Sequence, residues 1–162
     1  MPIVQVNPVI NYDTIKWCAL PYPGHKKGCP NLSKGCLENV TFFDKYYDLT
    51  KPVYAVYMSF DVGAHAKRMK QKYPNWSERQ CYNLLYWQPK ARKQFRPIVM
   101  DFCKEYPDYY ICSPEGMGVD VVATMKRVGI ELIFPPRKTT YLIVFAGIKN
   151  KITREKRTSV LI

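Results

Sequence analysis

Three of the six cysteines and one of the two histidines lie within residues 17–36, which read WCALPYPGHKKGCPNLSKGC. Cys18, His25, Cys29 and Cys36 follow a C-x6-H-x3-C-x6-C spacing. The many Pro and Gly residues between them disfavour a long regular helix or strand. Three thiolates and one imidazole match the ligand set of a closed tetrahedral zinc site. We therefore predict that residues 17–36, the Cys-rich segment, bind zinc.

Other uses of these side chains are open on sequence alone. Free cysteines also occur as small buried hydrophobic residues, and a disulfide is a further use. His25 lies between Gly24 and Lys26, which also suits a solvated loop residue. Because Cys29 is followed by Pro30, an iron–sulfur cluster is the main alternative to zinc. Cys112 or a water molecule is an alternative fourth ligand, so the candidate metal ligands are Cys18, His25, Cys29, Cys36 and Cys112.

A second group of reactive residues follows a predicted strand in the C-terminal half. Residues 112–118 read CSPEGMG, which combines a thiol, a carboxylate and a glycine-rich turn before a predicted helix. Backbone N–H groups at such a junction favour anions. We predict Glu115 as a catalytic acid or base and Gly116, Met117 and Gly118 as ligand-binding residues. An ordinary tight turn is the alternative.

The composition limits the class of protein. The chain has 162 residues, of which 47% are hydrophobic, as expected for one globular domain with its own core. Its net charge of +12 indicates an anionic partner, either a small molecule or a nucleic acid, although plain solubility explains the charge equally well. We find no apolar run of transmembrane length and no signal-peptide pattern. We therefore expect no membrane partner and a cytoplasmic, reducing location.

The pattern of apolar residues predicts a single domain over residues 1–162. In it, residues 1–50 form a Cys-rich metal-binding segment, residues 51–148 an α/β core and residues 149–162 a basic tail. We predict an α+β or α/β fold, with about four strands in a mixed sheet covered by three to four helices. The predicted strands are 53–60, 109–112, 130–134 and 141–148. Residues 1–16 alternate weakly, which suits either an edge strand or a segment that lies over the body of the domain.

The predicted helices are residues 62–72, a long region that opens at Ser77, and residues 119–128. Ser77 and Gln80 form an S-x-x-Q capping box. Pro89 and Pro97 lie inside the long region, so we expect a kink or a break there. A right-handed crossover through the last helix would make the strands beside it parallel.

Basic side chains are interleaved with aromatic ones in two clusters, which suits contacts to phosphates and bases, although a solvated helix face is the alternative. The first cluster contains Lys67, Arg68, Lys70, Lys72, Tyr73 and Trp76, and the second contains Trp87, Lys90, Arg92, Lys93, Phe95 and Arg96. Asp61 and His65 are four residues apart, which favours a helix cap followed by a surface histidine over an oriented base. Cys103 lies on an apolar stripe and is expected in the core.

The pattern C…PYPGH…GCPN, together with CSPEGMGVDVVATMKRVGIEL, resembles a family of small, uncharacterised, cysteine-rich proteins predicted to bind metal. The resemblance covers most of residues 17–147 and implies metal binding through Cys18, Cys29 and Cys36. Members of that family tend to have Pro after the third cysteine, whereas Leu37 follows Cys36 here, which weakens the case for a cluster.

From these observations we expect a metal-binding protein. The leading hypothesis is a small zinc-dependent enzyme of nucleotide or nucleobase metabolism, acting on an anionic nucleotide, a nucleobase or a carboxylated substrate. One alternative is a nucleic-acid-binding or accessory protein with structural zinc. The third is an iron–sulfur protein.

Overall fold

The computed structural model describes residues 2–21, 26 and 41–150, without the side chains of residues 18 and 19. Four strands form one sheet: β1 (Ile3–Val6), β2 (Val53–Asp61), β3 (Tyr110–Cys112) and β4 (Thr139–Gly147). Their order in the sheet is β1-β2-β4-β3, and every neighbouring pair is antiparallel. The described residues therefore form an α+β fold.

In the part of the chain that the structure describes, five α-helices and two 3-10 helices surround the sheet. They are α1 (Phe43–Tyr46), α2 (Val62–Lys72), α3 (Glu78–Cys81), α4 (Leu84–Glu105), α5 (Val121–Arg127) and the 3-10 helices Tyr12–Ala19 and Glu115–Met117. The predicted capping box at Ser77 and Gln80 is confirmed. Asp61 caps α2, since its Oδ1 accepts a 2.7 Å hydrogen bond from the Ala64 N–H. None of the helices in the described residues has the length and apolarity needed to span a bilayer.

The sheet is covered on both faces. Side chains alternate along a strand, so Ala55 of β2 faces one core and Val56 the other. The first core joins the sheet to α1 and α5 through Phe43 and Met125. The second core joins it to α4 through Phe102. The position of β2 inside the sheet explains why its sequence is apolar almost without interruption.

Three predictions about the fold are wrong. The sheet is antiparallel rather than mixed, because residues 130–134 form no strand and the parallel crossover through α5 is therefore absent. Ile133 and Phe134 are exposed, and the consecutive prolines that follow have no N–H groups for a ladder. β1 supplies the fourth strand by pairing with β2. Finally, α4 continues through Pro89 and Pro97, so the predicted break is not at the prolines but at residues 82–83, while a kink at either proline stays a prediction.

Candidate functional site

The turn after β3 carries the predicted acid Glu115. The Pro114 carbonyl accepts hydrogen bonds from the N–H groups of Met117 and Val119, at 3.0 and 3.1 Å. Gly118 then has a φ of +80°, a left-handed conformation that side chains disfavour. These bonds and this conformation fix residues 113–118 as a compact turn.

The 3-10 helix Tyr12–Ala19, which includes Cys18, packs against this turn. The Asn11 N–H donates to the Gly118 carbonyl at 2.8 Å, and the buried Thr14 hydroxyl donates to the Glu115 carbonyl at 3.2 Å. The rings of Tyr12 and Phe42 lie 4.1 Å apart, with Gly118 against both of them. The chain on both sides of residues 22–41 is therefore held at the turn that carries Glu115.

Glu115 lies in the wall of a cleft of about 550 Å³. The other walls come from α4, from β4 and from residues 132–134. Arg92, Ser113 and Thr140 contribute a cation and hydroxyl groups to a lining in which Gln88, Thr139 and Tyr141 are also polar and the other residues, apart from Glu115, are apolar. Arg92 and Glu115 are the only charged residues that line the cleft in the part of the chain that the structure describes.

The carboxyl group of Glu115 is perturbed by its surroundings. Burial raises its pKa above the ordinary value of 4.5, because an ionised carboxylate loses hydration there. A raised pKa favours the protonated carboxyl group, which can donate its proton or a hydrogen bond. The environment of Glu115 thus suits the acid/base role predicted for it.

Cys112 is a half-buried thiol at the edge of the first core. Burial raises its pKa to about 12, and the nearby charge of Glu115 acts in the same direction. A hydrogen bond from the Tyr47 hydroxyl opposes the shift only partly. Cys112 is therefore protonated at neutral pH and is not a reactive thiolate.

The predicted metal ligands fall mostly outside the described residues. His25, Cys29 and Cys36 lie outside them, and of Cys18 only the backbone is described, within the 3-10 helix Tyr12–Ala19. Among the described residues, no group of three or more His, Cys, Asp or Glu side chains is arranged to hold a metal ion. Zinc and an iron–sulfur cluster both remain predictions.

The three predicted ligand-binding residues do not line the cleft. Met117 packs against the first core, and Gly118 is buried against Tyr12 and Phe42. Gly116 has open space beside it, since an added Cβ would meet no atom within 4 Å. A ligand in the cleft would thus meet Glu115 of this turn, together with Ser113, rather than the glycines.

Two further predictions are corrected by burial. His65 is only 4% exposed rather than a surface residue, and its Nε2 has no hydrogen-bond partner in the described structure. In the second basic cluster Trp87 and Phe95 are core residues, and the small part of each ring that stays exposed lines the cleft at Glu115 rather than the outer surface. Cys103 packs with the second core, as predicted.

Sequence reasoning missed the cleft itself. The sequence pattern gives Thr140 no role, and it places Arg92 in a basic surface cluster rather than beside Glu115. Arg92 lies on α4 and Thr140 on β4, far from residue 115 in sequence, so only the tertiary fold brings them together.

Comparisons with protein-family models, with curated proteins and with solved structures find no match. The resemblance to cysteine-rich metal-binding proteins therefore stays a prediction.

Proposed function

We propose that the protein is a metal-binding protein that takes up a small anionic molecule in the cleft at Glu115. In this proposal Cys18, Cys29 and Cys36, with His25, hold zinc, and Cys112 stays a buried thiol. The observation that carries the proposal is the docking of the helix that contains Cys18 on the turn that contains Glu115, through the 3.2 Å bond from Thr14 to the Glu115 carbonyl.

The charge of the cleft favours an anion. Arg92 provides a positive charge, and burial raises the pKa of Glu115, which disfavours the opposing negative charge in the cleft. A guanidinium group can bind a carboxylate or phosphate through two parallel hydrogen bonds. The hydroxyl groups of Ser113 and Thr140 can donate to further oxygens of the same ligand.

The chemistry assigned to this site is proton transfer. Glu115 in its protonated form is the general acid. Zinc held by Cys18, Cys29 and Cys36 would polarise a substrate or a water molecule that takes the fourth position in place of His25. The substrate class is an anionic nucleotide, a nucleobase or a carboxylated compound.

Binding to the cleft is tested with the full chain by isothermal titration of a nucleoside monophosphate and, separately, of succinate. Arg92→Gln should weaken binding of the bound compound by about 10-fold or more, as expected for a lost charge-assisted hydrogen bond. Arg96→Gln is the matched control, because Arg96 lies one turn further along α4 and outside the cleft. Equal affinities of the two variants, or no binding of either compound, would contradict the anion site.

Glu115→Gln separates binding from chemistry. Glutamine has nearly the shape of the protonated carboxyl group, so ligand binding should persist while proton donation is lost. A variant that loses binding and turnover together would assign Glu115 to ligand recognition only.

A further inference from the structure

Three aromatic side chains form a column on the surface beside α2, α3 and α4. The rings of Tyr73 and Trp76 are stacked with centroids 4.3 Å apart and planes inclined by 13°. Tyr86 continues the column, 4.8 Å from Trp76. Tyr86 is 48% exposed, so the column ends in a ring that is open to solvent.

The column is held in place by hydrogen bonds from one lysine. The Lys70 ammonium group donates to the carbonyls of Pro74 and Trp76, both at 2.7 Å. The Trp76 N–H donates to the Tyr73 carbonyl at 3.0 Å. The loop between α2 and α3 is therefore tied back to α2, and its two rings are pre-organised.

The surface around the column is strongly basic. Residues 62–100 contain nine lysines and arginines, all of them exposed, against the single acidic residue Glu78. Glu78 is itself paired with Arg137 at 2.9 Å. This stretch therefore carries most of the net charge of the whole chain.

Cations lie at both ends of the column. The Lys72 ammonium group lies 5.2 Å from the centre of the Tyr73 ring. On α4, Lys90 and Lys93 follow Tyr86 at four and seven residues, a spacing that places them on the same helical face. An exposed ring is thus followed by two cations along one line.

We propose that the Tyr73–Trp76–Tyr86 column and the lysines beside it bind single-stranded nucleic acid. A base stacks on the open face of Tyr86, and the phosphates beside it contact Lys90 and Lys93. Proteins that bind single strands without sequence preference combine stacking rings with a basic track in this way. Charge complementarity makes the partner an anion. The exposed rings then favour nucleic acid over an acidic protein, because bases stack on aromatic rings and acidic side chains do not.

This surface is separate from the cleft. Tyr73, Trp76, Tyr86, Lys90 and Lys93 do not line the cleft, so binding there does not depend on the proposed function. It shares Lys90 and Lys93 with the second predicted cluster but not the aromatic ring, because Trp87 of that cluster is only 9% exposed. The ring offered to a ligand on α4 is Tyr86, one position earlier.

The test is fluorescence anisotropy of a labelled oligo-dT of about 15 nucleotides with the full chain, at several salt concentrations. Tyr86→Ala should weaken binding about 5- to 100-fold, the range measured for one lost stacking contact. Leu85→Ala is the matched control: Leu85 is equally exposed on the neighbouring position but outside the column, and its replacement should leave the affinity unchanged. The double variant Lys90→Gln/Lys93→Gln should reduce the slope of log affinity against log salt by about 1.4.

An abasic oligonucleotide of the same length separates stacking from charge. Wild-type protein should bind it about as weakly as Tyr86→Ala binds oligo-dT. Equal binding of abasic and dT strands, or equal affinities of Tyr86→Ala and Leu85→Ala, would overturn the proposal in favour of general charge attraction. No binding of oligo-dT even at low salt would overturn it in favour of another partner, such as an acidic protein.

Discussion

The packing of the N-terminal segment on the Glu115 turn can be tested at Gly118. Its φ of +80° disfavours alanine, and an added Cβ would lie 3.0 Å from Cδ1 of Tyr12 and 3.1 Å from Cδ1 of Phe42. Gly129 has nearly the same φ, +79°, but an added Cβ there would meet nothing within 4 Å. Comparison of Gly118→Ala with Gly129→Ala therefore separates the free-energy cost of the left-handed backbone from the cost of the contact with the two rings.

The magnitudes follow from these two environments. The left-handed conformation should destabilise Gly129→Ala by about 1–2 kcal/mol. Gly118→Ala should lose the same amount and a further 1–3 kcal/mol or so, because the two rings must shift to admit the methyl group. The free energy of unfolding is measured for both variants by urea denaturation monitored by circular dichroism.

The result that would refute this reasoning is an equal loss of stability in the two variants, since Tyr12 and Phe42 would then not press on residue 118. A double-mutant cycle adds a second check. In a Tyr12→Ala background, the excess cost of Gly118→Ala should shrink, because one of the two obstructing rings is gone. An unchanged excess would exclude Tyr12 as its source.

Three further outcomes are expected from urea unfolding. Phe102→Ala should cost about 3–5 kcal/mol because Phe102 is fully buried in the second core, whereas the exposed Met100→Ala should cost less than about 0.5 kcal/mol; similar losses would contradict the described packing. Burial, and the nearby charges of Arg68 and Lys90, lower the pKa of His65, so the free energy of unfolding of the wild type should fall as the pH drops below 6.5. His65→Gln should lose this dependence, and parallel pH profiles of the two proteins would refute the assignment to His65. Glu115 gives a pH dependence of the opposite sign: burial raises its pKa, so the free energy of unfolding should fall as the pH rises above 4.5. In Glu115→Gln this fall should be smaller, and an identical decline in the two proteins would argue against a buried carboxyl group.

Elements with strong local signals could be predicted from the sequence. The apolar run of β2, the Asp61 cap and the Ser77 capping box each depend on residues close together in the chain, and the structure contains all three. Strand pairing depends instead on distant segments. Residues 130–134 have a strand-like composition, yet the edge of β2 is paired with β1 from the other end of the chain.

The candidate site divides in the same way. Glu115 was predicted because thiol, carboxylate and glycines are adjacent in sequence, whereas its cleft partners Arg92 and Thr140 come from separate elements. The helical periodicity of α4 also indicates which of its aromatic rings is exposed. Trp87 lies four residues before the buried Ala91, so it belongs to the buried stripe of α4, and Tyr86 is turned about 100° away from it. The exposed ring could therefore have been identified from the sequence.

The central claim, metal binding by the Cys-rich segment beside Glu115, is tested most directly by elemental analysis of anaerobically purified full-length protein. The account predicts about one zinc per chain in the wild type, loss of it in Cys36→Ser, and retention in Cys103→Ser, whose cysteine packs with the second core. Iron with a matching amount of sulfide would show that the same segment binds an iron–sulfur cluster instead of zinc. Absence of metal from the wild type, or full retention in Cys36→Ser, would contradict the account.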